Sequence, residues 1–321
     1  MQDLEQIKLG EPPAPDAGIF GLNSDDTAFI SILSVPWDVT ASGGKGTSLA
    51  PEKLVSASHE LDLEDPILGR PYEKGIRYLP VDPCIEEWQA ACEKENYDVT
   101  VVNDYSRKVD QAVYLMAKKE LDRDRVVGLF GGDHSCPFGL IQALSEKYES
   151  LSILHIDAHF DLRKAYEGYE RSHASIFYNV LETLPGVQVT HVGIRDFCAP
   201  ELEMSRNHPR SHAFLDTEIF SRKAHGKNFE QITQEILATL SENVYISFDI
   251  DGLDPSYCPG TGTPVPGGLH YHEAVYLMEA LRHKHKVVGF DLVECAAEDY
   301  DLNVGARLLY KMCGLSVKTQ K

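Results

Sequence analysis

Six short apolar runs recur along the chain: F-I-S-I-L-S-V at 29–35, V-V-G-L-F at 126–130, S-I-L-H-I at 152–156, V-T-H-V-G-I at 189–194, V-Y-I-S-F at 244–248 and V-V-G-F-D-L at 287–292. Runs this short, bounded by turn residues and rich in Val, Ile and Phe, read as strands buried on both faces. Between them lie segments of helical period. Ser106 to Arg123 places Val109, Val113, Met116 and Leu121 near helical spacing, and Asn228 to Glu242 and His272 to His283 behave alike. Repeated strand–helix alternation requires right-handed crossovers, which predicts an α/β fold with a mainly parallel sheet covered on both faces. Neither an internal repeat nor a long linker interrupts the pattern. Residues 28–321 therefore read as one domain, preceded over residues 1–27 by a polar, irregular arm that carries Pro12, Pro13 and Pro15.

In open sheets of this kind ligands gather beyond the carboxyl ends of the strands, and the chemically rich residues fall there. After V-V-G-L-F come Gly131, Gly132, Asp133 and His134. The two glycines allow a tight turn that leaves His134 at a strand end, where a neutral imidazole can bind metal. After S-I-L-H-I comes D-A-H-F-D, with Asp157, His159 and Asp161 at every second position. In an extended segment such side chains share one side, and two carboxylates and an imidazole converge on one point. His155 has the same parity but lies inside the strand, and reads as a core histidine held by a hydrogen bond. After V-Y-I-S-F come Asp249 and Asp251, both costly to bury without a counter-charge. Asp254, before Pro255, reads as a turn former.

Together His134, Asp157, His159, Asp161, Asp249 and Asp251 offer two imidazoles and four carboxylates. That set is too rich for one four-coordinate zinc ion and suits two adjacent divalent ions bridged by carboxylates. Oxygen-dominated ligation without thiolates favours Mn²⁺ over Zn²⁺, with Ni²⁺ and Co²⁺ as alternatives. Two such ions lower the pKa of a shared water toward neutrality, so the expected reaction is hydrolytic attack on a trigonal carbon. His173, in R-S-H-A-S, is a candidate proton carrier. Glu294, at the end of V-V-G-F-D-L-V-E, is a candidate to receive a planar cation through two hydrogen bonds.

Charge restricts the partners. Thirty Lys and Arg against fifty Asp and Glu give a net charge of −20, which repels phosphate backbones and anionic lipid surfaces and favours a cationic substrate. Nucleic acid and membrane are therefore not expected partners. Seven cysteines form no C-x-x-C pair, so neither a zinc knuckle nor a disulfide framework is expected, and a reducing cytoplasm fits. The first residues lack a basic region followed by an apolar stretch, and no apolar segment approaches the ~18 residues of a membrane span.

G-G-D-H-S at 131–135, D-A-H-F-D at 157–161 and S-F-D-I-D-G-L-D-P at 247–255 resemble the three metal-binding motifs of the ureohydrolase family, which includes arginase and agmatinase. The resemblance runs from V-P-W-D-V-T at 35–40 through Glu294. It implies a three-layer α/β/α domain, a binuclear manganese centre held by the six residues above, and hydrolysis of a guanidinium group to urea and an amine. It also implies that Asp161 orients the attacking hydroxide, that His173 shuttles a proton and that Glu294 holds the guanidinium. Assembly into trimers or hexamers is a further implication.

Within the family, D-L-R-K-A-Y-E-G-Y-E-R-S-H-A-S and P-G-T-G-T-P-V-P-G-G-L are most similar to agmatinases, which makes agmatine the expected substrate. Val265 stands where many agmatinases carry glutamate, and V-E-C-A-A-E-D departs from the usual V-E-x-N-P-type ending. Guanidinobutyrate, guanidinopropionate, free guanidine and arginine remain competing substrates. A metal-dependent deacylase and a non-catalytic metabolite-binding protein are the alternatives outside guanidine hydrolysis.

Overall fold

The strands are β1 (Ile30–Val35), β2 (Ile76–Tyr78), β3 (Val126–Gly131), β4 (Leu151–Ile156), β5 (Val187–Ile194), β6 (Ser211–Leu215), β7 (Asn243–Asp249) and β8 (Lys286–Val293). In the computed structural model, which describes residues 10–14, 16–23 and 26–320, they form a single eight-stranded sheet. Its order is β2-β1-β3-β8-β7-β4-β5-β6, and every pairing is parallel. The six apolar runs are six of these strands. The other two, β2 and β6, form the edges, where one neighbour is missing. Their sequences, I-R-Y and S-H-A-F-L, are accordingly only partly buried, so neither carries an uninterrupted apolar run to betray it.

Ten helices cover the two faces among the described residues: α1 (Ala50–Ser58), α2 (Pro83–Lys94), α3 (Val99–Leu121), α4 (Phe138–Lys147), α5 (Ile176–Thr183), α6 (Ala199–Asn207), α7 (Asp216–Ala224), α8 (Phe229–Leu237), α9 (Tyr271–Ala280) and α10 (Asp299–Thr319). Helices α1 and α7 to α10 pack into one apolar layer, with Leu54, Ile219, Ile236, Leu277 and Leu309 facing the sheet. Helices α2 to α6 build the other through Ile85, Val113, Leu140, Phe177 and Leu202. This is the three-layer α/β/α architecture.

Helix ends depart from the periodicity for identifiable reasons. Helix α3 begins at Val99, seven residues ahead of the expected Ser106, although Val99 to Val102 are β-branched and poor helix formers. Asp98 offsets that by accepting hydrogen bonds from the backbone of Thr100 and Val101, a cap worth about 1 kcal/mol. Helix α8 starts beside Asn228, which exchanges hydrogen bonds with Gln231 in a capping box. It stops at Leu237, short of the expected Glu242, where the Thr239 hydroxyl donates back to the Ile236 carbonyl.

Positions 1–9, 15, 24 and 25 of the expected N-terminal arm lie outside the described residues. Ile19 and Phe20 are buried, and the Phe20 ring meets Tyr310 edge-on at 5.0 Å between centroids.

The four central strands β3, β8, β7 and β4 are consecutive neighbours, and their carboxyl ends open side by side at one rim of the sheet. The chain leaves β3 through Gly132, whose N–H donates to the Val35 carbonyl while Asp133 N–H donates to the Trp37 carbonyl. A Cβ on residue 132 would stand 2.1 Å from the Trp37 oxygen. Backbone cannot yield there as a side chain tip can, so Gly132→Ala is expected to destabilise the fold by about 1–3 kcal/mol or more. A denaturant midpoint equal to that of the wild type refutes this account of the turn.

Candidate metal centre

Each sequence-predicted ligand sits where a central strand runs out of partners. His134 follows β3 and is 1% exposed. Its turn is tied down by the Asp133 carboxylate, which accepts from the Thr40 backbone and hydroxyl and from the Ser135 backbone. Asp157, His159 and Asp161 follow β4. Asp249 ends β7, and Asp251 lies in the short 3₁₀ turn Ile250–Gly252. The Asp249 carboxylate accepts the Asp251 N–H at 2.9 Å, and Asp251 in turn accepts the Ala158 N–H at 3.0 Å. The second and third motifs are thus locked to each other through backbone.

The side chains converge as two groups that share Asp157. In the first, His134 Nδ1 lies 3.0 Å from Asp157 Oδ2, 3.0 Å from Asp161 Oδ2 and 3.4 Å from Asp249 Oδ2. In the second, His159 Nδ1 lies 3.4 Å from Asp157 Oδ1 and 3.2 Å from Asp251 Oδ2. All six expected ligands are therefore brought together. The route differs from simple strand alternation, because β4 ends at Ile156 and Asp161 has a left-handed backbone, φ 54°. For a non-glycine residue that conformation costs about 1–3 kcal/mol and is held only by surrounding structure. Here the Asp161 carbonyl accepts the N–H groups of both Phe177 and Tyr178 at the start of α5.

Four buried carboxylates within one cluster repel unless positive charge intervenes. That crowding shifts the proton affinity of each group. Burial, then Asp157, pushes Asp161 up to about 7. Burial together with Asp251 and Asp157 raises Asp249 well above the usual carboxylate range. Burial opposes charge on the imidazoles, but Asp251 and Asp157 overcome it and push His159 up to about 12. Hydrogen bonds with Asp157, Asp161 and Asp249 likewise raise His134 well above its ordinary value against the effect of burial. Protons on these groups supply the charge that divalent cations supply better, and the oxygen-rich donor set fits hard divalent ions. His134, Asp157, Asp161 and Asp249 would hold one ion, and Asp157, His159 and Asp251 the other.

His173 and Glu294 occupy different positions. His173 lines a cavity of about 140 Å³ at the mouth together with His159 and Asp161. Its Nε2 faces the Ser42 hydroxyl at 3.2 Å, and its backbone N–H donates to Thr40 Oγ1. Glu294 is only 7% exposed and lies behind His134, whose N–H it accepts at 3.0 Å through Oε1. Its φ of 57° is left-handed, like that of Asp161.

Sequence reasoning missed the loop residues around the mouth. Ser42 approaches from the glycine-rich segment after β1, and Thr263 donates to Asp251 Oδ2 at 3.3 Å. Their loops touch, with Gly44 N–H donating to the Gly262 carbonyl. The paired runs A-S-G-G-K-G and G-T-G-T were the available signal. Nothing in either run says that the two meet.

Metal binding competes with protons for His134, His159, Asp161 and Asp249. Since all four pKa values are raised, each group carries its proton to higher pH than usual, and affinity for a divalent cation should fall as pH falls. Titration calorimetry with Mn²⁺ in buffers of different ionisation enthalpy should show proton release. A cation at 100 times its dissociation constant should stabilise the fold by about 2.7 kcal/mol, raising the melting temperature, and Asp251→Asn should lose that rise. A melting temperature indifferent to Mn²⁺ contradicts the site.

The Arginase family model matches residues 28–314. A Thermus thermophilus protein named N(1)-aminopropylagmatine ureohydrolase is 34% identical over 90% of this chain and 91% of its own length. An agmatinase of Bacillus cereus is 27% identical over 83% of each chain. Among solved structures, the agmatine ureohydrolase of Thermoplasma volcanium superposes with a TM-score of 0.75 at 23% identity, over 97% of both chains. With three motifs closing on one buried His/Asp cluster, the shared fold and the family match agree: the chain belongs to the arginase family of guanidine hydrolases.

Proposed function

We propose that this chain is a manganese-dependent hydrolase that cleaves the guanidinium group of agmatine to urea and putrescine. The observation that carries this reading is the mouth itself, where a small polar cavity joins His159 and Asp161 to His173 and to an exposed carboxylate, Asp196. When bound, a pair of divalent ions supplies Lewis acidity and lowers the pKa of water to the neutral range.

The chain's own residues then do the rest. Asp161, buried and close to His134, orients the attacking water by accepting its hydrogen bond and takes up a proton at its carboxylate. Glu294, whose Oε1 accepts the His134 N–H, is the carboxylate assigned to the planar guanidinium. His173 delivers a proton to the departing amine from Nε2, whose Ser42 contact and edge-on packing against Tyr166 hold the ring toward the cavity. Arg163 is occupied by Glu201 at 3.4 Å and by the Tyr166 ring, which leaves Asp196, 69% exposed, to meet the ammonium tail of the substrate. An α-carboxylate at that point would be repelled, which disfavours arginine. The same reading carries a cytoplasmic enzyme assembled from three or six chains.

A second reading extends the tail. The Thermus relative is named for aminopropylagmatine, whose additional secondary ammonium would also face the acidic rim. A panel containing agmatine, its N1-aminopropyl derivative, guanidinobutyrate, guanidinopropionate, guanidine and arginine, read by urea release, tests both. Urea from one of the first two at the highest kcat/KM is expected. No urea from any member, with two metal ions verified per chain, rejects the proposal.

Two substitutions test these roles. His173→Ala should lower kcat by about 10²–10⁴-fold with metal content intact, the usual range for removing a proton-transfer group. Asp161→Asn should abolish urea release. Unchanged kcat in His173→Ala, measured at saturating substrate, overturns the assignment of that histidine.

A further inference from the structure

His155 and His191 are directly opposite each other in the β4–β5 register, and both are fully buried. Their Nδ1 atoms are 2.8 Å apart, and the other nitrogen of His155, Nε2, lies 2.7 Å from Asp157 Oδ2. Asp157 is the carboxylate shared by both halves of the metal centre. The imidazoles are enclosed by Phe177, whose ring centroid is 4.1 Å from that of His155, and by Phe160, 5.3 Å from His191.

Hydrogen-bond accounting selects one arrangement. A carboxylate oxygen only accepts, so His155 Nε2 carries a hydrogen. Two Nδ1 atoms at 2.8 Å cannot both carry hydrogens, nor can both present lone pairs. If His155 were doubly protonated, a full positive charge would lie among aromatic rings with no further acceptor to offset it. The remaining arrangement leaves both rings neutral. His191 Nδ1–H donates to His155 Nδ1, His155 Nε2–H donates to Asp157, and His191 Nε2, which has no partner in either arrangement, keeps its lone pair. Both nitrogens of His155 are then committed, so His155 has no lone pair left with which to ligate a cation, although it lies beside His134, Asp157 and Asp161.

We propose that His191 and His155 form a positioning relay that fixes the orientation of Asp157 from the far side of β4. It rests on the metal-centre reading and assigns to β5, which contributes no ligand, a part in metal affinity. Partners of this kind typically change metal affinity by 10–100-fold when removed.

The test is Mn²⁺ titration calorimetry on the full chain, with melting temperatures as a check on folding. His191→Leu fills the space without a donor and should weaken Mn²⁺ binding by about 10–100-fold. His191→Asn places an amide N–H near the position of Nδ1 and should restore most of the affinity. Long-range ¹H–¹⁵N correlation on the metal-free wild type should show His155 protonated at Nε2 and His191 at Nδ1, which decides the point even if a variant fails to fold. Wild-type affinity in His191→Leu, equal losses in the Leu and Asn variants, or a His155 protonated at Nδ1 overturns the relay and leaves the metal centre standing. A wild-type protein that takes up no Mn²⁺ overturns both.

Discussion

The crowding of four carboxylates at the ends of neighbouring strands is the constraint on which the rest of this molecule depends. Asp157, Asp161, Asp249 and Asp251 are almost completely buried, and like charges so close are tolerated only with positive charge among them. The raised proton affinity of His134 and His159 lets imidazolium charge offset part of that repulsion. A cation pair supplies positive charge without the proton, and frees the imidazole lone pairs for ligation. The site is therefore built around a charge deficit, and that deficit gives it affinity for metal.

A parallel sheet is suited to hold such a deficit. Strands β3, β8, β7 and β4 all end at the same rim, so residues from remote parts of the chain meet without any long loop. Two apolar layers exclude water from below. Backbone N–H groups at the strand ends, such as those of Ala158 and Asp251, fix the carboxylates in place. Asp161 and Glu294 both hold left-handed backbones, and such strain persists only where surrounding contacts over-determine it. Both are residues to which the proposed reaction gives work.

How far the site was legible in the sequence follows from this geometry. Asp157, His159, Asp161, Asp249 and Asp251 were readable because each group directly follows a strand-like apolar run, and a charged residue at that junction lies at a strand end. His134 was readable through its glycine pair. The edge strands β2 and β6 were not, because a strand with one neighbour needs little apolar sequence. Nor was the early start of α3, where the Asp98 cap outweighs four poor helix formers. Ser42 and Thr263 escaped because their loops are more than two hundred positions apart in the chain, and only their contact across the mouth gives either a role. His155 read as a buried, hydrogen-bonded histidine, which it is. That its partners are a ligand carboxylate and a second imidazole depends on which strand lies beside β4.

Local sequence determined the six inner strands, the residue types at their ends and the family they signal, because burial periodicity and turn chemistry act over a few neighbouring residues. Strand order is decided by the packing of the whole chain, and it alone brings β7 next to β4 and β5 on its other side. From that order come the sharing of Asp157 between two groups, the Asp251-to-Ala158 lock and the His191–His155 contact. Charges and hydrogen bonds act through space over a few ångströms, and distance along the chain does not predict them.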